Sequence, residues 1–316
     1  MDKISIVVPC YNEELSLPYF YDEITRVADL MKADAEFEFI FVNDGSSDKT
    51  VDGLRELRGK DERVRYISFS RNFGKEAAMY AGFKAVTGNL AVVMDADLQH
   101  PPKFIPEMYK GIKEEGYDCV ATRRVKRLGE PKIRSFFAMR FYDVINAISD
   151  TNIVPGACDY RMMTRKMVDA VLEMSEVNRF SKGIFSWVGF NTKWIPFENV
   201  ARVAGETKWS FKKLFAYSLD GITAFSTTPL QISSFVGILF CVLAFVFGMV
   251  TFIKTLLFGE PVAGFPTLMC VILLIGGIQL LMIGILGQYI SKMYVETKRR
   301  PIFVVKETEE DYDKGC

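Results

Sequence analysis

In the stretch VVMDADLQHPP, Asp95 and Asp97 stand one small residue apart at the end of an apolar run, and Gln99 follows two positions later. Alternation along a strand sends residues i and i+2 to the same face, so the two acids are expected side by side. Like charges that close need a cation between them or a shifted pKa. Mg²⁺ and Mn²⁺ prefer oxygen ligands and keep coordination positions open for substrate phosphates, which suits this pair, with Gln99 offering a carbonyl oxygen. The competing reading is an ordinary acidic surface turn. A second acidic turn, VNDGSSDKT, places Asp44 before a Gly-Ser-Ser bend, where a carboxylate can accept from a nucleobase N–H. Asp48 or Ser47 there reads as the cap of the next helix.

These residues have to be carried by something. Between Ile4 and Val125, short apolar runs (ISIVVP, EFEFIFVND, RVRYISFS, NLAVVMDAD, YDCVAT) alternate with longer amphipathic stretches, the pattern of an α/β domain with a mostly parallel sheet. In such sheets ligands bind outside the carboxyl ends of the strands. Each of those ends is polar here: Pro9 to Glu13, Asn43 to Asp48, Ser70 to Lys75, Asp95 to Gln99 and Thr122 to Arg124. One edge of one sheet is expected to hold the chemistry.

The chain has 316 residues, of which 49% are hydrophobic, enough for about two domains with a sizeable core. Lys plus Arg and Asp plus Glu each number 39, so no global positive field draws in nucleic acid. The six cysteines show no C-x-x-C spacing, which suits a reducing compartment and implies neither zinc nor disulfides. The apolar run in MDKISIVVPCYNEE is too short for a signal-peptide core, so the first domain is expected in the cytosol.

The C-terminal third has a different solvent. Ile232 to Ile253 and Phe265 to Ile290 carry no charge, and each exceeds the roughly 20 apolar residues that cross a bilayer. Lys208, Lys212 and Lys213 precede the first run and Lys292, Lys298, Arg299 and Arg300 follow the second, whereas the linker GEPVAGFP lacks Lys and Arg. The positive-inside rule then predicts two spans with both termini in the cytoplasm. Lys254 weakens the asymmetry but can snorkel. Before the spans, Phe211, Leu214, Phe215, Leu219, Ile222 and Phe225 recur at helical spacing, which reads as a helix lying in the membrane interface or as a core-packing helix of the soluble domain. Gly277 and Gly284 offer a smooth face for helix packing between subunits, and a homo-oligomer is expected.

Taken together, VVPCYNEE, VNDGSSD, RNFGKEAAMYAG, MDADLQHPP and CDYRMMTR resemble the motifs of family 2 glycosyltransferases with a GT-A (Rossmann-like) fold. More narrowly, these and the GILGQYISKMYVETKRRPIFVV tail are similar to the polyprenyl-phosphate glycosyltransferases, the group of dolichol-phosphate mannose synthase and the bactoprenol glucosyltransferases. The resemblance covers nearly the whole chain. It implies that Pro9, Tyr11, Glu13, Val42 and Asp44 line the donor pocket, and that Asp95, Asp97 and Gln99 hold Mg²⁺ or Mn²⁺ on the donor diphosphate, Ala96 leaving room between them. Asp159 matches the catalytic base of an inverting displacement, with a helix N-cap as its bland alternative. Arg202 and Lys208 match the family's basic loop, and Arg123 and Arg134 are expected to reach phosphate oxygens. His100, the only histidine, precedes Pro101 and Pro102 and is read as structural rather than as a base.

The implied enzyme moves one hexose from a nucleotide sugar, UDP-glucose first and GDP-mannose among the alternatives, to undecaprenyl or polyprenyl phosphate at the cytoplasmic leaflet. Residues 1–200 would be the catalytic domain, 201–229 the basic loop and interfacial helix, 230–290 the two spans and 291–316 a cytoplasmic tail. A processive polysaccharide synthase is disfavoured because the chain lacks a Q-x-x-R-W motif and further spans. A non-catalytic nucleotide-binding scaffold is disfavoured by the retained acids.

Overall fold

The structure, a computed structural model, describes residues 1–126, 143, 146–148, 153–198, 223, 225–258 and 264–314. Eight strands form one sheet: β1 (Asp2–Cys10), β2 (Ala35–Asn43), β3 (Val64–Phe69), β4 (Leu90–Val93), β5 (Cys119–Lys126), β6 (Ala157–Thr164), β7 (Thr192–Glu198) and β8 (Val305–Thr308). Their order is β7-β5-β6-β4-β1-β2-β3-β8. The β1–β2, β1–β4, β2–β3 and β5–β7 pairs are parallel, while β6 runs against both β4 and β5 and β8 runs against β3. The sheet is therefore mostly parallel, as the alternation of apolar and amphipathic runs implied.

Helices cover both faces, which is why the strands read as continuous apolar runs rather than alternating ones. On β1, Ile6 and Val8 pack into one core layer with Phe20 and Ile24 of α1 (Leu17–Leu30) and Leu54 of α2 (Thr50–Lys60). That layer also holds Ile105 and Met108 of α4 (Ile105–Lys113). Val7 points the other way, into a layer with Ala78 and Phe83 of α3 (Lys75–Ala85), Val168 of α5 (Arg165–Glu173) and Ile184 of α6 (Ser181–Trp187). The α3 helix lies so near the sheet that a Cβ at Gly82 would come within 2.2 Å of a Val7 methyl. Each fully buried aliphatic side chain contributes about 1.5–3 kcal/mol.

Two long helices follow, α7 (Thr228–Phe258) and α8 (Phe265–Thr297). Within them Thr228–Val250 and Leu274–Thr297 are long and apolar enough to cross a membrane, and neither window is buried in the protein. Exposed side chains such as Phe235, Phe245, Leu280 and Ile283 make that face apolar, as a bilayer requires. The α8 helix is tied to the sheet domain, because the Glu296 carboxylate accepts from the Val177 and Asn178 N–H groups at 2.8 and 3.2 Å. After α8 the chain returns to the sheet, adds β8 along β3, and ends in α9 (Glu309–Asp313). The stretch read as an interfacial helix, including Lys212 and Lys213, lies outside the described residues apart from Thr223 and Phe225.

Candidate active site

Strands β1, β2 and β4 end together, with Cys10 opposite Asn43 and Val93 opposite Val7. Antiparallel β6 pairs Arg161 with Val93, so it is the start of that strand, Cys158 and Asp159, that reaches the same edge. Asp159 lies within a strand and is not a helix cap. Strand alternation does not place Asp95 and Asp97, because β4 stops at Val93 and both acids lie in the turn beyond it. That turn is closed by Leu98 at φ 57° and by the Gln99 N–H donating to Asp97 Oδ1 at 3.1 Å. The residues are close because of a turn, which a period-2 argument does not contain.

At the centre of the edge stands Lys75, the first residue of α3. Its Nζ lies 2.6 Å from Asp95 Oδ1 and 2.7 Å from Asp159 Oδ2. Burial alone would lower the Lys75 pKa, but the Asp159 and Asp95 carboxylates outweigh it and raise it. Burial would likewise raise Asp159, yet Lys75 and then Lys182 hold it far below the usual carboxylate range. At neutral pH this is an ammonium clasped by two carboxylates.

The other Asp95 oxygen, Oδ2, faces His100 Nδ1 at 3.8 Å. The His100 ring is only 4% exposed and packs against Tyr160 and Phe197, with centroids 5.7 and 5.5 Å away. Desolvation pushes His100 below the ordinary imidazole range, so it is neutral, and neither ring nitrogen has a hydrogen-bond partner among the described residues. One ligand atom from each of Asp95, Asp97 and His100 falls within 4.8 Å of the others. Two hard carboxylates and an unsatisfied buried nitrogen fit a divalent cation. Gln99, expected as the third ligand, is half-buried in the same turn.

The neighbouring loops are stitched together by short polar contacts. Asp44 is buried and accepts from the Phe73 N–H at 2.6 Å and the Gly74 N–H at 2.9 Å, while burial raises its pKa. Gly45 makes this approach possible: its φ is +64° and a Cβ there would lie 2.3 Å from the Arg71 carbonyl carbon. The Asn12 amide oxygen accepts from the Ser47 N–H at 2.8 Å, and the Glu13 N–H donates to Thr50 Oγ1 at 2.9 Å. Pro9 and Val42 are register partners, Ala96 is buried, and Tyr11 is exposed. Arg123 lies exposed in β5, opposite Ala157, whereas Arg134, Arg202 and Lys208 lie outside the described residues.

Sequence reasoning passed over Lys75, Lys182 and Glu76. One local signal was available for the first: a lysine opening a helix opposes the positive end of the helix dipole, so its charge must be used elsewhere. Nothing local marked Lys182, whose proximity to Asp159 depends on the packing of α6.

Comparison with known proteins agrees with this architecture. Residues 5–172 match the family model described as Glycosyl transferase family 2, and residues 228–293 match one described as GtrB C-terminal hairpin. The chain is 40% identical over 304 residues to the prophage bactoprenol glucosyl transferase homolog of Escherichia coli, covering 96% of this chain and 98% of that protein. It is 39% identical over 304 residues to the bactoprenol glucosyl transferase of Shigella phage SfV, with the same coverages of 96% and 98%. Among solved structures, glucosyl-3-phosphoglycerate synthase from Mycobacterium tuberculosis, in complex with Mn²⁺, UDP-glucose and phosphoglyceric acid, aligns with a TM-score of 0.46 at 21% identity, covering 70% of this chain and 78% of that one. A GT-A sheet domain followed by a hairpin of two apolar helices, with family models matched across both, makes this chain a glycosyltransferase that belongs to glycosyl transferase family 2.

Proposed function

We propose that this enzyme transfers a single hexose from a nucleotide sugar, with UDP-glucose the first choice, to polyprenyl phosphate at the cytoplasmic leaflet, inverting the anomeric centre. The named relatives support the acceptor and the sugar. The observation that carries the reading is the Lys75 bridge, which joins an acid of the donor turn, Asp95, to the acid that resembles the family's base, Asp159. Donor and acceptor ends of a displacement must meet at one point, and the shared contact of Asp95 and Asp159 with one amine supports that assignment.

In this reading Asp44, Pro9, Tyr11, Glu13, Val42 and Ala96 border the donor. Arg123 and Arg134 are assigned to phosphate oxygens, and Arg202 and Lys208 to the donor. A divalent cation held by Asp95 and Asp97 would neutralise charge on the departing diphosphate. An oxygen of the acceptor phosphate forms the new bond to the anomeric carbon as the bond to the diphosphate breaks. Because the second pKa of a phosphate monoester is about 6, that oxygen is already anionic at pH 7. Asp159 then orients the reactants rather than removing a proton. The spans keep the site at the membrane surface, where a polyprenyl acceptor resides; both termini are cytoplasmic, and the helices pair between subunits.

The test is to incubate the purified full chain with undecaprenyl phosphate, Mg²⁺ and a panel of labelled UDP-glucose, UDP-GlcNAc, GDP-mannose and an aminoarabinose nucleotide. Label from UDP-glucose is expected in the lipid phase. Transfer from another donor would reassign the sugar, and transfer from none would overturn the reading.

A further inference from the structure

We infer that the turn closing α6, with Trp187 at its tip, sits in the headgroup layer of the bilayer crossed by the hairpin, a lipid contact separate from the two spans. The inference rests on the membrane-spanning reading of α7 and α8, and concerns how the sheet domain is seated on the lipid surface. From Gly183 to Thr192 the chain carries no charge. Packing accounts for much of that stretch: Ile184 and Phe185 are buried, and Phe190 packs against the core layer that contains Val7. Trp187 is 58% exposed, where α6 ends and Gly189, at φ 72°, turns the chain back. A large ring with one polar N–H suits a boundary that is apolar on one side and wet on the other.

The hairpin supplies that boundary. The segment around the start of α6 meets both long helices at their domain-side ends. A Cβ at Gly183 would lie 2.5 Å from the ring of Phe225, three residues before α7 begins. The Val177 and Asn178 N–H groups donate to Glu296, the last residue but one of α8, and Lys292 Nζ reaches Asn178 Oδ1 at 3.4 Å. Trp187 lines one cleft with Met174, Val188 and Glu296, so its ring stands at the level of that last turn. Glu296 lies six residues beyond Ile290, where the uncharged run ends, which is about 9 Å along the helix axis. Headgroups occupy roughly 5–8 Å on each side of the hydrocarbon, so the cleft meets that layer. Exposed Tyr294, on the same turn of α8, gives this level a second ring. Glu173 and Glu176 line the cleft as well, so anionic headgroups are repelled and the contact is with zwitterionic lipid, made by the ring. Lys182, at the other end of α6, is one of the charges that keep Asp159 ionised, so a single short helix links the lipid contact to the acid edge of the sheet.

The chain has three tryptophans, Trp187, Trp194 and Trp209. The full chain carrying Trp194→Phe and Trp209→Phe, reconstituted in phosphatidylcholine vesicles, reports from Trp187 alone, and lipids brominated either near the headgroup or near the bilayer centre serve as quenchers. A reference chain with all three tryptophans replaced by Phe and carrying Phe245→Trp reports from a span. Trp187 emission is expected to fall about twofold with shallow bromines and little with deep ones, the reverse of the reference. Quenching of the reference without quenching of Trp187 would overturn this inference and leave the spans intact, as would quenching of Trp187 that requires anionic lipid. Absence of quenching in both chains would overturn the spanning reading as well. Should the double variant fail to fold, the parent is compared with Trp187→Phe: the shallow-quenched share of the emission should shrink in the variant, and an equal share in both would overturn the contact.

Discussion

An ammonium ion between two carboxylates fixes what each of them does at neutral pH. Asp159, held ionised by Lys75 and Lys182 against the effect of burial, is a weak proton acceptor. Asp159→Asn is therefore expected to lower turnover by about 100-fold or more through lost orientation, while its residual rate stays nearly flat above pH 7. Initial rates between pH 6.5 and 9 check this, and a rate rising steeply with a single titration would contradict it. The residues that could be read from the sequence at this scale were Asp95 and Asp97, whose spacing suggests their chemistry, while Asp159 was reached only through the family resemblance. Lys75 offered one local signal, its place at the start of a helix, but its role did not follow from it, because its second partner arrives on β6, far along the chain, and only the fold brings Asp95 and Asp159 to one amine.

Between elements, the start of α3 also fastens α6. The Glu76 carboxylate accepts from both the backbone N–H, at 3.0 Å, and the hydroxyl of Ser181, the first residue of α6. Burial raises its pKa from 4.5 to about 7, and the nearby Asp159 charge adds to the shift, against the Ser181 hydrogen bonds. Since the folded value lies above the unfolded one, the associated stability is fully present below pH 4.5 and is lost as pH rises through about 7. Glu76→Gln should flatten the melting temperature between pH 5 and 8, with a relative gain on the order of 1–2 kcal/mol at the alkaline end. Thermal unfolding in buffers across that range measures it, and an unchanged slope would count against the assignment. The five strands β1 to β5 were legible from apolar runs ending in polar residues. The strands CDYRMMT and VKET were not, because they are short of continuous apolar residues and are strands only through their antiparallel neighbours β4 and β3.

Across the whole molecule, the tail after the hairpin is part of the catalytic sheet. Arg55 holds Glu307 with two hydrogen bonds, at 2.9 and 2.6 Å, and the Tyr66 hydroxyl donates to the same carboxylate at 2.5 Å. Arg65 donates to Glu309 at 2.7 Å and Phe303 stacks on Phe69 with centroids 4.9 Å apart. Glu307→Ala leaves the Tyr66 hydroxyl and the Arg55 guanidinium without that partner and is expected to cost about 1–2 kcal/mol, the Arg55 contact being partly screened by solvent. Denaturation of the full chain in detergent, with Arg55→Ala and the double variant completing the cycle, would show whether Glu307 and Arg55 are coupled. The sequence marked this segment only as part of a cytoplasmic tail over 291–316, because the strand is short and its partner lies far upstream.

That closing strand also sets an order of events during biosynthesis. The strand that covers the outer edge of β3 is made later than β3 itself. Between the two in the chain lie both apolar helices. Until the tail emerges, β3 presents a row of unpaired backbone groups. The enzyme therefore completes its sheet only after its apolar hairpin has been made, so a chain stalled in the hairpin would have an open sheet edge.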